Sequence, residues 1–233
     1  LQVDVWSDVV CPWCFIGKRR LEAALASFPE RERITVVFHA FELDPQAPKV
    51  PTLTLDAMLS RKYGLPPAKV AELQARVTDA ARGEGLAFAL DRARPENTFD
   101  AHRLLALARV HGRQPAVKEA LMSAYFEHGR RIGDAAELRS IGVAAGLPPA
   151  EVDRVVADPT AFADAVRGDE AQARQLGIRG VPFFVVDQRL AVSGAQPAEV
   201  LARALAQAWA ERPPEPPSAG PTCDDDTCAV PEA

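Results

Sequence analysis

The chain has 233 residues, 48% of them hydrophobic, with 20 prolines, 14 glycines and four cysteines. That is enough apolar chain for one large domain or two modest ones, and too few cysteines for a disulfide scaffold. Residues 1–212 balance at 27 acids and 27 bases, so the net charge of −5 falls entirely on 213–233; no basic face points to nucleic acid, and no apolar run approaches the roughly 18 residues of a membrane span.

In chain order, QVDVW reads as a strand rather than as a charged and then apolar signal segment. The reading is of a cytoplasmic protein, and the lack of an initiator methionine leaves room for a removed leader. CFIGKRRLEAALASF has helical periodicity, and RITVVFHAFEL (Arg33–Leu43) is a second strand, so the opening is a βαβ unit. From Thr52 to about Asp158 the pattern is helical, broken by proline pairs at Pro66 and Pro148 and by single glycines; only LAFAL (Leu86–Leu90) looks extended. Phe162–Gly177 is again helical. FFVV (Phe183–Val186) and LAVSG (Leu190–Gly194) make a hairpin around Asp187–Arg189, a helix runs from Pro197 to about Arg212, and PPEPPSAGP opens a linker-like tail.

Two cysteines three apart, in VVCPWCFIG, stand where the first strand meets the first helix. Positions i and i+3 at a helix start lie about 5–6 Å apart, a separation that a disulfide spans. Cys11 falls at the cap, where the amides of Trp13 and Cys14 and the positive helix end favour a thiolate, and Pro12 suits the first helical position. Cys11 is therefore the expected exposed nucleophile and Cys14 the shielded resolving thiol. A zinc site would need a second pair folded nearby, and CDDDTC offers only C-x4-C on a tail. A structural bridge over so short a loop would constrain the unfolded chain little. Chance spacing in a buried helix is the third alternative, and no metal or other cofactor is called for.

The order strand, CPWC, helix, strand, helical insertion, RGVPFFVV (Arg179–Val186), hairpin, helix resembles the DsbA-like thioredoxin-fold family over residues 1–212. Within it, DVVCPWCFIGK, NTFDAHRLLALA and YFEHGRRIGD are similar to the FrnE-like branch of dithiol oxidoreductases. The resemblance implies an α/β, thioredoxin-like fold in two parts, 1–50 and 161–212, around an all-helical insertion, 51–160, with an acidic tail at 213–233. It implies that Pro182 is a cis-proline facing the CPWC turn, that the Val181 backbone pairs with substrate, and that Pro12 and Trp13 border the same face. It also implies a thiol–disulfide oxidoreductase for protein disulfides or glutathione-like thiols, working as monomer or homodimer. A low Cys11 pKa would favour the oxidant direction. The alternative is a glutathione-dependent isomerase or transferase on the same fold, whose close relatives carry a serine where Cys11 stands.

Asp4 and Asp8 precede the motif and are candidates to relay the Cys14 proton, although a solvated strand-end acid is the favoured reading. His102, in NTFDAHR, resembles a position facing the active site in glutathione-linked isomerases, with a satisfied structural histidine favoured over it. His39, His111 and His128 show no ligand spacing, and Trp6, Phe15, Phe183 and Phe184 read as core. Cys223 and Cys228 could bridge through a turn, and the three aspartates between them would raise their pKa values; this suggests a second redox pair feeding the first.

Overall fold

In the computed structural model, which describes residues 1–212, every residue of β1 (Gln2–Ser7) after Gln2 is buried. Its neighbours explain why. β1 lies inside a four-stranded sheet of order β2-β1-β3-β4, parallel to β2 (Thr35–Ala40) and antiparallel to β3 (Phe183–Val186), which in turn pairs antiparallel with β4 (Leu190–Ser193). Alternate side chains point to opposite faces. Val3 and Val5 pack with Leu21 of α1 (Pro12–Ala26) and with Leu201 and Leu205 of α9 (Ala198–Ala210), whereas Trp6 meets Ala173 and Ile178 on the other face. A strand covered on both faces has no solvated positions, so Asp4 is buried; Asp8, just past the strand end, is buried as well, and neither is an exposed strand-end acid.

The long helical stretch begins at Leu55 and resolves into α2 (Leu55–Tyr63), α3 (Pro67–Gly83), α4 (Phe99–Val110), α5 (Gln114–Phe126), α6 (Ala135–Ala144) and α7 (Pro149–Ala157); α8 (Ala163–Gln175) leads back to the sheet. The side chains of Thr54 and Asp134 cap α2 and α6. LAFAL is not a strand. It runs as irregular chain along the end of α5, where the Ala89 amide donates to the Phe126 carbonyl at 2.7 Å, and no strand lies beside it to form a ladder. The second large cluster of buried side chains joins Phe15 and Ile16 of α1 to Leu104, Leu107, Leu121 and Phe126 of the inserted helices.

Two polar residues tie these layers together. Gln114 pairs with the free edge of β2: its Oε1 accepts from the Phe38 amide at 2.9 Å and its Nε2 donates to the Phe38 carbonyl at 2.7 Å. His39 sits between two acids, Nε2 at 2.8 Å from Asp4 Oδ1 and Nδ1 at 2.7 Å from Asp169 Oδ1, with Trp6 stacked on its ring at 4.5 Å. Burial opposes a charge there, but the hydrogen bonds and charges of Asp169 and Asp4 outweigh it and raise the His39 pKa. A group whose pKa rises on folding stabilises the fold fully below its unfolded value of about 6.5, and that contribution fades as pH climbs through the folded value. His39→Leu is therefore expected to cost about 3 kcal/mol at pH 6 and markedly less at pH 9, measured by urea unfolding. An equal loss at both pH values would mean that only packing was removed.

Candidate active site

Pro12 occupies the first turn of α1, its missing amide costing nothing there, and Cys11 is the cap residue in extended conformation. Cys11 makes no capping hydrogen bond with its side chain; instead the Cys14 and Phe15 amides point to the Cys11 carbonyl, at 3.0 and 3.4 Å. Both cysteines are free and both are buried, Cys11 at 4% and Cys14 at 2% exposure, so the expected contrast of exposed and shielded thiols is absent in the resting fold. Trp13 is the residue of the turn that faces solvent.

The Val181–Pro182 peptide bond is cis, and the loop it belongs to lies against the turn: the Cys11 thiol is directed at the Val181 carbonyl, 3.6 Å away. The Cys11 thiol is held well above the ordinary thiol range, first by its hydrogen bond with Cys14, then by burial and by the repulsion of a second sulfur charge and of Asp8. This corrects the expectation of a readily ionised Cys11. The helix end contributes roughly 0.3–1 kcal/mol, less than the cost of placing two anionic sulfurs side by side in a buried site.

A buried charged set lies behind the pair. Asp8 Oδ1 is 3.2 Å from His102 Nε2, and Asp8 Oδ2 accepts from the Leu43 amide at 2.8 Å. Burial pushes the Asp8 carboxyl up, and the His102 contact, the Leu43 amide and Lys118 together bring it below its usual value. Lys118 is 1% exposed, its Nζ donating to the Ser7 carbonyl at 3.3 Å. Burial lowers its pKa to about 8, against the pull of Cys14, Asp8 and Cys11. Asp8 and His102 are thus brought to one place, and Asp4 is not: it belongs to the His39 bridge.

Two cavities flank this core. The front one, about 600 Å³, has Cys11, Pro12, Trp13 and Val181 at one end and reaches under α2 and α3. The rear one, about 180 Å³, is bordered by His39, His102, Arg109, Gln114, Lys118 and Asp169. Lys118 is the residue that sequence reasoning missed. Its signal was position: Gln114, Val117, Lys118 and Leu121 recur at the helical spacing of a buried stripe, and a lysine on such a stripe is a charge placed in the core.

A C-x-x-C turn opening a helix, with a cis-proline loop against its first sulfur and a mixed sheet behind it, defines a thioredoxin-like dithiol protein. The chain belongs to the DSBA-like thioredoxin domain family, whose model matches residues 2–206. Among solved structures it is similar to the probable DsbA oxidoreductase SCO1869 from Streptomyces coelicolor, at 45% identity and a TM-score of 0.88 over 99% of each chain. The fold is also that of the cytosolic disulfide reductase DsbM from Pseudomonas aeruginosa, solved with GSH, at 20% identity and a TM-score of 0.63 over 89% of this chain and 98% of that one. The uncharacterized protein YwbO of Bacillus subtilis (strain 168) is 24% identical over 207 residues, 88% of this chain and 96% of that one. No described helix is long and apolar enough to cross a membrane.

Proposed function

We propose that the chain catalyses thiol–disulfide exchange through Cys11 and Cys14. The observation that carries this reading is the position of Cys11: its sulfur lies at the end of the front cavity and against the Val181 carbonyl, with Cys14 one turn behind it and Lys118 and Asp8 behind that. In the reducing direction the Cys11 thiol gives up its proton as its sulfur attacks a substrate disulfide; that S–S bond breaks, and the departing substrate sulfur takes up a proton and leaves as a thiol. Cys14 then gives up its proton and attacks Cys11 Sγ, releasing the second substrate thiol and closing the Cys11–Cys14 disulfide. Lys118, whose pKa of about 8 leaves a share of it unprotonated near that pH, takes the Cys14 proton in that form, while Asp8 balances the resulting charge and His102 keeps Asp8 ionised. The rear cavity gives Lys118 and His102 a way to pass that proton to water.

The intact cysteine pair weighs against the glutathione-dependent isomerase or transferase alternative. Insulin reduction, measured beside glutathione conjugation to an aryl halide, tests the class: turnover of insulin disulfide with no conjugation is the expected result, and conjugation without disulfide turnover overturns it. Cys223 and Cys228 lie outside the described residues. Their transfer of electrons to the CPWC pair remains a proposal drawn from the sequence, read by thiol labelling of the two pairs.

A further inference from the structure

We infer that the front cavity is a substrate chamber for low-molecular-weight disulfides whose second half is an uncharged apolar body, such as an alkyl or aryl thiol residue. This rests on the proposed exchange at Cys11 and adds what the chemistry acts on. The argument starts from α2. Leu55, Met58, Leu59 and Tyr63 recur at one helical face, the spacing of a helix that packs on a core, yet no residue of α2 is fully buried. That face lines the 600 Å³ cavity instead, with Leu73 and Val77 of α3 beside it. An apolar helix face has been folded over space rather than over protein. The volume falls in the range of small-molecule pockets, about 300–1,000 Å³.

At the far end of that space is the reactive sulfur. Cys11 and Val181 close the chamber, and Leu90, Tyr125 and Phe126 form further apolar wall. The charged lining is mixed, with Asp8, Asp44 and Glu96 against Lys62 and Arg76, so no field of one sign recruits an ionic body. The α2–α3 cover also distinguishes the chamber from an open groove for an extended polypeptide, which needs a free edge along its length. The reaction is balanced: a disulfide R–S–S–R′ and the reduced Cys11–Cys14 dithiol give RSH, R′SH and the enzyme disulfide, two electrons and two protons passing to the substrate.

The test is a homologous series of mixed disulfides joining 2-mercaptoethanol to n-alkyl thiols from ethyl to octyl, mixed with the pre-reduced full-length protein in single turnover. Alkyl thiols have nearly the same pKa, so intrinsic reactivity is constant and a trend reports on the chamber. The rate constant per unit concentration is expected to climb by about three- to fourfold per added methylene, the yield of burying one such group, and then to level off. Leu59→Asp, at a half-exposed position, is expected to flatten the climb while leaving the circular dichroism melt close to wild type. A flat series in the wild type, or the same climb in a folded Leu59→Asp protein, overturns the chamber. Failure of even the ethyl compound to oxidise Cys11 and Cys14 would count instead against the exchange reaction itself.

Discussion

Cys11→Ser is expected to reduce disulfide exchange to the uncatalysed rate, whereas Cys14→Ser is expected to accumulate a covalent mixed disulfide between Cys11 and substrate. The asymmetry comes from geometry rather than from exposure, since both sulfurs are buried. Cys11 borders the front cavity and the Val181 carbonyl; Cys14 is absent from the lining of that cavity and interacts with Lys118. Only Cys11 can meet a substrate sulfur, and only Cys14 can release it from behind. Mass spectrometry of the Cys14→Ser protein after incubation with the ethyl mixed disulfide reads the outcome directly. Wild-type turnover in Cys11→Ser, or an adduct on Cys14 in that variant, would invert the assignment and with it the mechanism.

Lys118→Met is expected to keep the fold and to slow release of the mixed disulfide about a hundredfold, the lower end of what a positioned proton-transfer group supplies. Methionine has nearly the length of lysine without its charge, so the buried stripe of α5 stays filled. Asp8 keeps its contacts to Leu43 and His102 and is not left bare. Stability carries an independent signature. With its pKa lowered to about 8 in the fold, Lys118 binds fewer protons there than in the unfolded chain between pH 8 and about 10.4. Wild-type stability therefore gains over that window relative to Lys118→Met, and the cost of burying the charged lysine, about 3 kcal/mol, is present in full only below it. Rapid-quench measurement of release from pH 6.5 to 9.5 should show an inflection near 8 in the wild type and none in the variant. An unchanged rate and an unchanged inflection would remove Lys118 from the mechanism.

The sheet and the helix that carries the cysteines were legible because each has a plain local cause. QVDVW and FFVV are β-rich, and α1 begins at a proline and follows a strand; the loop facing the turn was implied by the resemblance that RGVPFFVV carries. What failed was the prediction of environment. Asp4 and Asp8 look like strand-end acids only when β1 is imagined at an edge; with β2 and β3 on either side and helices on both faces they become interior groups that require His39 and His102. His39 was unreadable for the same reason, since its partner Asp169 is 130 residues away. LAFAL has the composition of a strand, but composition cannot supply a neighbouring strand. The ionisation of Cys11 was misjudged because the helix end is visible in sequence, whereas the burial of both sulfurs, and the seating of Cys11 against the Val181 carbonyl, arise only when the two halves of the chain meet. The NTFDAHR stretch, quoted above for its resemblance, has a structural explanation: His102 reaches Asp8, and the buried Arg103 guanidinium gathers the carbonyls of Val155, Asp158 and Ala161.

Gly17 gives the redox motif a longer reach than its two cysteines suggest. A methyl group on its Cα would stand 2.9 Å from Pro182 Cγ and 3.3 Å from Phe184 Cζ. The clearance between the reactive helix and the loop brought from the far half of the chain is therefore set by a single hydrogen atom. The working unit is C-x-x-C-x-x-G, a gauge block whose glycine fixes how closely the loop seats beneath the sulfurs. For anyone sorting sequences, a cysteine pair with a bulkier residue at the seventh place describes a different machine, one whose loop must stand further off. For anyone engineering this one, the dipeptide between the cysteines and the residue at position 17 are separate adjustments: the first alters what the sulfurs feel, and the second alters how much room a substrate finds between them and the loop.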